Sequence, residues 1–301
     1  MAKKKRWGKK YKDKRDWKAN NRELVKRGEF YINPVFLDTW LEETREMNHG
    51  KIGQPYLYPA SLIEFLAILY AKAFDYRSLE GIICGLSKRF GNFPIISFSQ
   101  IRRRIKKLKL KFLPFGKNLF VGVDGTGIKV SNRGEWIREK WKIRRGWIKV
   151  VIMGDVEGNI VDIRIGNEEL NEHTSGRGML RKNYNHISKY SGDGLYDAKD
   201  NFRLCDQLGV EPVIKIRKNA SAKSNGCMAR KKEVLEYKKL GYKKWAKEKR
   251  YGMRWVATEG IFSASKRMFG EYVRSHKKRA MYHEAKLKFW AYQQVKNAGM
   301  N

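Results

Sequence analysis

The stretch from Asn118 to Val130, NLFVGVDGTGIKV, constrains the fold of this chain more than any other. Residues 119–123 are apolar apart from one glycine, and a short apolar run bounded by turn residues predicts a buried strand. The run delivers Asp124 at its end, with glycines beside it. A carboxylate there is suited to a hard metal ion, because glycine lets a phosphate or a second backbone come close. The alternative is that Asp-Gly merely turns a hairpin.

Charge predicts the kind of partner. The chain of 301 residues has 66 Lys and Arg against 31 Asp and Glu, a formal net charge of +35. An excess of this size attracts polyanions through steering and counterion release. No run of 18 or more apolar residues and no signal peptide is present, so we expect a soluble, intracellular protein without a membrane partner. The three cysteines are isolated and form no CxxC pair, so the sequence indicates neither a disulfide framework nor a zinc site.

The N-terminal part predicts a basic, helical region. Residues 1–28 form a basic arm with interleaved aromatic residues, typical of DNA contact or of a solvated tail. Residues 29–112 carry apolar side chains at helical spacing. Helices are predicted within 29–48, 60–73, 76–90 and 99–110, with Ser61 as a candidate N-cap.

The last of these helices, SQIRRRIKKLKL, is strongly basic. Ile101 and Ile105 mark its apolar face, whereas cations occupy the other faces. Helices of this kind, the last one basic, are typical of a helix-turn-helix module whose recognition helix enters the major groove. The alternative is a helical bundle with a solvated basic face. The candidate DNA-binding cations are Arg102, Arg103, Arg104, Lys106 and Lys107.

The second half of the chain alternates strands and helices, which predicts a mixed α/β domain over 117–275. We predict strands at 118–130, 147–155, 160–165, 190–193 and 213–216, the second and third forming a hairpin. Helices are predicted over 168–181, 198–208 and 255–269, with Asp197 as a candidate cap of the second. Residues 219–250 break the pattern as a basic insertion, and residues 276–301 form a C-terminal helix.

Three acids stand out in this domain. Asp124 and Asp193 each end a predicted strand beside a glycine, and Glu259 lies on a helix after the insertion. Carboxylates at adjacent strand ends, with one from a facing helix, can converge on two divalent cations. Mg²⁺ fits such a site because it takes few carboxylates and leaves room for phosphate oxygens. Spacing alone is weak evidence, since 31 acids offer many triples.

Several motifs in order resemble the DDE transposases of prokaryotic insertion sequences, most closely insertion-sequence family five with its archaeal and bacterial members. They are VDGTGIKVSNRGEW, RRGWIKVVIMGDVEGNIV, SGDGLYDAKDNF, PVIKIRKN and RWVATEGIFSASKRMFGE. The resemblance covers roughly residues 118–271. The helical region before it also looks like the N-terminal domain of that family.

The resemblance implies a ribonuclease-H-like catalytic domain preceded by an all-α, helix-turn-helix-type DNA-binding region. It implies that Asp124, Asp193 and Glu259 are the catalytic carboxylates and hold two Mg²⁺ ions, which Mn²⁺ can replace. The family also carries a Tyr, Arg, Glu, Lys signature around the third acid, and Tyr251, Arg254, Glu259 and Lys266 fit it as DNA contacts. The departure is that four residues separate Arg254 from Glu259 where the family has three. That extra residue weakens the assignment of Arg254 and keeps open an inactive protein or a shifted helix start.

The implied function is that of a DNA transposase in the cytoplasm of a prokaryote, associated with the nucleoid. It would bind the terminal inverted repeats of its element, cut the DNA ends in a metal-dependent reaction, and join them to target DNA. A homodimer is expected in the synaptic complex with double-stranded DNA. Two alternatives remain: a ribonuclease-H-like nuclease that does not join strands, and an inactive transposase-derived DNA-binding protein.

Overall fold

The computed structural model describes residues 16–31, 35–91, 93–112, 116–130, 147–224 and 226–298. The first fifteen residues of the predicted basic arm therefore lie outside the described chain. The rest of the arm belongs to helix α1, Trp17–Glu29, which begins at Asp16: its carboxylate accepts hydrogen bonds from the first-turn amides of Lys18 and Ala19. Within the described ranges, no helix combines the length and the apolar character that crossing a membrane requires.

Among the described residues of the N-terminal region, four further helices follow α1, and these residues are all-α as predicted. They are α2 Phe36–Asn48, α3 Ala60–Ala71, α4 Tyr76–Phe90 and α5 Phe98–Lys107. The prediction that Ser61 caps α3 was wrong, because Pro59 holds the cap position and the Ser61 hydroxyl donates to Glu43 on α2. Helix α4 ends at Gly91, whose φ of 114° is accessible mainly to glycine.

A six-stranded mixed sheet forms the centre of the second region. Its main strands are β1 Leu119–Val130, β2 Trp147–Asp155, β3 Ile160–Gly166, β4 Ile187–Gly192 and β5 Glu211–Ile214. Their order across the sheet is β3-β2-β1-β4-β5. The first three strands are antiparallel neighbours, whereas β4 and β5 run parallel to β1 and to each other. This mixed topology confirms the predicted ribonuclease-H-like fold.

Helices cover the sheet and follow strands closely in the chain. They are α6 Glu172–Asn183, α7 Lys199–Gln207, α8 Met228–Glu248, α9 Ile261–Phe269 and α10 Lys278–Ala298, with the short strand β6 Tyr272–Val273 beside the end of β1. Asp197 does not cap α7, contrary to the prediction. Its buried carboxylate instead accepts from Arg230 at 2.7 Å and from the backbone amide of Arg217 at 3.0 Å.

The two faces of the sheet bury different sets of side chains, because successive residues of a strand point to opposite faces. Val121 and Val123 of β1 belong to one core with α6 and α7. Ile128 of β1 and Ile152 of β2 belong to the other core, which also contains α9, α10 and the N-terminal helices. The second face therefore joins the helical region to the sheet, and Asp124 has the same parity as its residues.

Candidate active site

Strand β1 spans nearly the whole predicted stretch 118–130, so Asp124 lies within the strand and not at its end, and Asp-Gly does not form a turn. The strand continues to Val130 because β2 pairs with it on both sides of the acid, with Asp124 opposite Ile152. What ends at this point is the parallel ladder with β4, whose last registered pair is Gly122 with Ser191. Asp124 therefore lies in mid-strand, where the parallel neighbour has turned away and left room for other groups.

A pair of glycines on this face admits a helix backbone close to the sheet. Gly122 and Gly154 are cross-strand partners. A Cβ at Gly154 would lie 2.1 Å from the carbonyl oxygen of Ala257, and one at Gly122 would lie 3.0 Å from the Ala257 Cβ. Only hydrogen fits at Gly154, and a methyl group at Gly122 would be tight, so the segment around Ala257 rests directly on β1 and β2.

That segment is a π-helical turn, Val256–Gly260, which leads into α9. In an α-helix, residues five apart are rotated by about 140°. In a π turn the hydrogen bonds join residues five apart, so such residues share a face. The turn thereby absorbs the extra residue between Arg254 and Glu259: Nη2 of Arg254 lies 3.3 Å from Oε1 of Glu259.

Arg254 bridges two of the three predicted metal ligands. Its Nη1 donates to Oδ2 of Asp124 at 3.1 Å while its Nη2 donates to Glu259. The side chains of Arg254 and Asp124 are 15% and 22% exposed, and that of Glu259 is 48% exposed. The bridge is thus half-buried at Asp124 and open to solvent at Glu259.

The third predicted ligand, Asp193, follows β4 directly and caps a short 3₁₀ turn by accepting from the amide of Leu195 at 2.8 Å. Ser191 of β4 and Gly122 of β1 are registered partners, and Asp193 and Asp124 each lie two residues beyond them. Burial raises the pKa of Asp124, and the charge of Asp193 raises it further, whereas the Gly125 amide and Arg254 lower it. The structure therefore brings all three acids to one region.

Two other residues of the signature contact this region. Nζ of Lys266 donates to the hydroxyl of Thr126 at 2.9 Å, two residues along β1 from Asp124 and on the same face. Desolvation by burial lowers the pKa of Lys266. The ring of buried Tyr251 lies 5.7 Å from the guanidinium carbon of Arg254. This contact with a buried ring helps to position Arg254.

The donor set fits Mg²⁺, since carboxylate oxygens are the ligands this hard cation prefers. Within the described ranges, however, no three Asp, Glu, His or Cys side chains stand in a group that could hold a metal ion. The guanidinium of Arg254 instead lies between Asp124 and Glu259 as a cation paired with both. That Asp124, Asp193 and Glu259 hold the metal stays a prediction.

Sequence reasoning missed Glu172, the first residue of α6. A Cβ at Gly125 would lie 2.6 Å from its carboxyl carbon, and its Oε1 lies 2.8 Å from Nζ of Lys149. Its charge raises the pKa of Asp124. No spacing rule marks Glu172 in advance, because its proximity depends on how α6 crosses β1 and β2.

The predicted DNA-binding cations lie on α5 as expected, but not all of them are free. Arg102, Arg103 and Lys107 are exposed. The guanidinium of Arg104 lies 5.1 Å from the ring of Tyr58, which ties it to its own region. Lys106 and Arg102 face Arg274 and Lys277 across a cavity of about 350 Å³. Burial lowers the pKa of Lys106, and the charges of Arg102 and Lys277 lower it further.

Comparison with protein families gives two matches, both to the family described as Transposase DDE domain. One model matches residues 116–293, more than half of the chain, and the other matches residues 25–133. One solved structure is similar at a TM-score of 0.26 and 10% identity over 72% of each chain: the simian T-cell lymphotropic virus intasome in complex with PP2A regulatory subunit B56 gamma. The family matches cover both the helical region and the sheet with its three acids. The chain therefore belongs to the DDE transposase family.

Proposed function

We propose that this transposase binds the terminal inverted repeats of an insertion sequence, cuts the DNA at those ends and joins them to target DNA. The bridge that Arg254 makes between Asp124 and Glu259, with the charge of Asp193 acting on Asp124, carries the proposal. Insertion-sequence family five, with its prokaryotic host, is the proposed source. The proposed working form is a homodimer that pairs two ends.

In the cutting step, a water oxygen attacks the phosphorus at the end of the element and the bond to the 3′ oxygen breaks, so that a 3′-hydroxyl is released. In the joining step, this hydroxyl attacks a phosphorus of the target, and one phosphodiester bond replaces another. When bound, two Mg²⁺ ions, or Mn²⁺ in their place, would activate the attacking oxygen as a nucleophile and stabilise the leaving oxygen. Neither step requires a side chain as the nucleophile.

The chain's own residues have separate roles in this scheme. Asp124, Asp193 and Glu259 hold the cations. Once Arg254 leaves the acids, its planar guanidinium can grip a phosphate with two parallel hydrogen bonds, which Lys266 supports as a point charge. Tyr251 positions Arg254 through the ring contact described above.

We assign DNA binding to α5 and to the basic arm, residues 1–28. The exposed arginines of α5 and the cations across the cavity beside it would contact phosphates of the terminal repeats. Such contacts release counterions and make affinity depend on salt. The base-specific part of recognition would come from the face of α5 that enters the major groove.

The substitution Asp193→Asn tests the chemistry. It keeps the shape of the side chain and removes one charge from the metal ligands, so cleavage of a terminal-repeat duplex should fall at least about a hundredfold. Binding to the same duplex should persist or tighten, because a negative charge near phosphate is gone. Cleavage and binding are measured on one folded preparation, with the exposed Asp206→Asn as the control.

The outcomes separate the candidates. Cleavage retained by Asp193→Asn would refute the assignment of the site. Cleavage without joined products in a strand-transfer assay would identify a nuclease that does not join. Repeat binding by the wild type without metal-dependent cleavage would identify an inactive DNA-binding protein.

A further inference from the structure

A cleft of about 670 Å³ opens directly beside Asp193. Parallel strands β4 and β5 end at its floor, and α8 forms its far wall. This volume lies in the range of sites that hold small molecules, about 300–1,000 Å³. The residues that matter for its chemistry are Lys215, Arg217, Lys218, Tyr237 and Tyr242.

The floor of the cleft is cationic. Lys215, Arg217 and Lys218 follow β5 and are exposed, and Asp193 is the one acid among the lining residues. Arg217 is fixed in place, since its Nε donates to the carbonyl of Gly194 at 2.7 Å and its Nη2 to that of Leu195 at 3.1 Å. Three positively charged side chains therefore line the same cleft as Asp193, one of the proposed metal ligands.

The wall of the cleft is aromatic. A break in α8 at Gly241, with φ 69° and ψ 160°, redirects the helix and presents Tyr242, which is 48% exposed. Nζ of Lys215 lies 5.3 Å from the centre of the Tyr242 ring. Tyr237 is held by an edge contact to buried Trp245, with ring centres 5.1 Å apart. One ring is thus open to a partner and the other is braced.

We propose that this cleft binds an unpaired segment of the DNA strand next to the phosphate that is cut. Proteins that bind single strands combine cations along the path of the nucleic-acid backbone with exposed aromatic rings. The rings bind bases of any sequence because every base has a face that can stack. A paired base is already stacked inside the duplex and offers no face to Tyr242. This inference rests on the proposed function and adds the state of the DNA that the site takes.

Binding is measured by fluorescence anisotropy in metal-free buffer, with a short labelled oligodeoxynucleotide, an abasic strand of the same length, and the corresponding duplex. Tyr242→Ala should lower affinity for the normal strand about tenfold, because the variant removes the ring on which a base would stack. It should leave affinity for the abasic strand and the duplex within about twofold. Lys215→Gln should weaken the binding of both single strands, because the proposal places Lys215 against a phosphate.

Matched controls are Lys243→Gln, which removes an exposed cation from the same helix, and Tyr184→Ala, which removes an exposed ring at the end of α6. Both should bind all three probes as the wild type does. If Tyr242→Ala binds the normal strand as tightly as the wild type, or loses affinity equally for the abasic strand, the inference is wrong. The test needs no cleavage, so its failure is distinct from failure of the transposase assignment.

Discussion

At the scale of single residues, the site is organised by one cation. Arg254 sits between Asp124 and Glu259, and these two carboxylates would otherwise repel each other and the nearby Asp193. The electrostatic role of Arg254 is therefore the one that a bound divalent cation would take over. Metal binding and the position of Arg254 should be coupled.

This coupling predicts that Arg254→Gln binds Mn²⁺ more tightly. The variant removes a charge that the metal must otherwise displace, and we expect a gain in affinity of about tenfold, which corresponds to about 1.4 kcal/mol. The measurement is titration calorimetry or the electron paramagnetic resonance of free Mn²⁺, without DNA. Cleavage should fall in the same variant, because the proposed contact between Arg254 and a DNA phosphate is lost.

Two controls separate this effect from general charge. Arg254→Lys keeps the cation and should bind Mn²⁺ nearly as the wild type does. Lys266→Gln removes one charge from a side chain bonded to Thr126 and not to the acids, so it should change affinity less than Arg254→Gln. Unchanged or weaker Mn²⁺ binding by Arg254→Gln would contradict the coupling.

At the scale of elements, the π turn and the glycine pair work together. The turn aligns Arg254 with Glu259 despite an extra residue, and the glycines let its backbone rest on the sheet so that Arg254 reaches Asp124. Extra residues of this kind recur at functional sites because they re-aim side chains without breaking a helix. The departure from the family spacing is therefore a local change of helix geometry and leaves Arg254 beside the acids.

This packing predicts that Gly154→Ala is destabilising. The new methyl group would overlap a backbone carbonyl 2.1 Å away, and backbone cannot rotate aside as a side chain does. We expect the free energy of unfolding in urea to fall by about 1–3 kcal/mol, the usual cost of overpacking. Arg254 and Glu259 should also lose their alignment with Asp124.

The matched substitution is Gly85→Ala in α4, where a Cβ would meet nothing within 4 Å. It should be neutral or raise the free energy of unfolding by up to about 1 kcal/mol, because alanine is the better helix residue. Equal stability of Gly154→Ala and the wild type would mean that the turn does not rest on the sheet as described.

At the scale of the whole molecule, the helical region and the sheet share one apolar core. Helix α10 packs against α3 and against the sheet. Tyr70 of α3 donates to the buried carboxylate of Glu284 on α10 at 3.3 Å. Helix α5 therefore has a fixed relation to the acids, which suits the proposed function of binding a DNA end and cutting it at a set distance.

The charge of α5 predicts the salt dependence of this reading. Arg102→Gln with Arg103→Gln removes two exposed cations, and each lost phosphate contact should lower the slope of log affinity against log salt by about 0.9. The measurement is binding to a terminal-repeat duplex over a range of salt concentrations. Affinity at low salt should fall with the slope.

The control for charge alone is Lys238→Gln with Lys239→Gln, two exposed positions on α8. It should alter the slope less than the α5 variant does. If the α5 variant changed the discrimination between bases while the salt slope stayed fixed, Arg102 and Arg103 would be readers of sequence. If neither changed, α5 would not be the recognition helix.

The sequence alone determined the broad class of this protein. Short apolar runs located the strands and helical spacing located most helices, because buried strands are apolar throughout and a half-buried helix is apolar on one face. Charge identified the kind of partner, and ordered motifs identified the family. The strand ends and glycines marked Asp124 and Asp193 as candidates before any contact was known.

Only the tertiary structure decided how these parts meet. β1 runs past Asp124 because β2 pairs with it, and pairing between distant segments is not written in the local pattern. The π turn depends on the glycine pair beneath it, and the bridge of Arg254 and the approach of Glu172 depend on how helices cross the sheet. Local residues fix the elements, whereas packing across tens or hundreds of residues fixes the distances between charges, and those distances govern the chemistry.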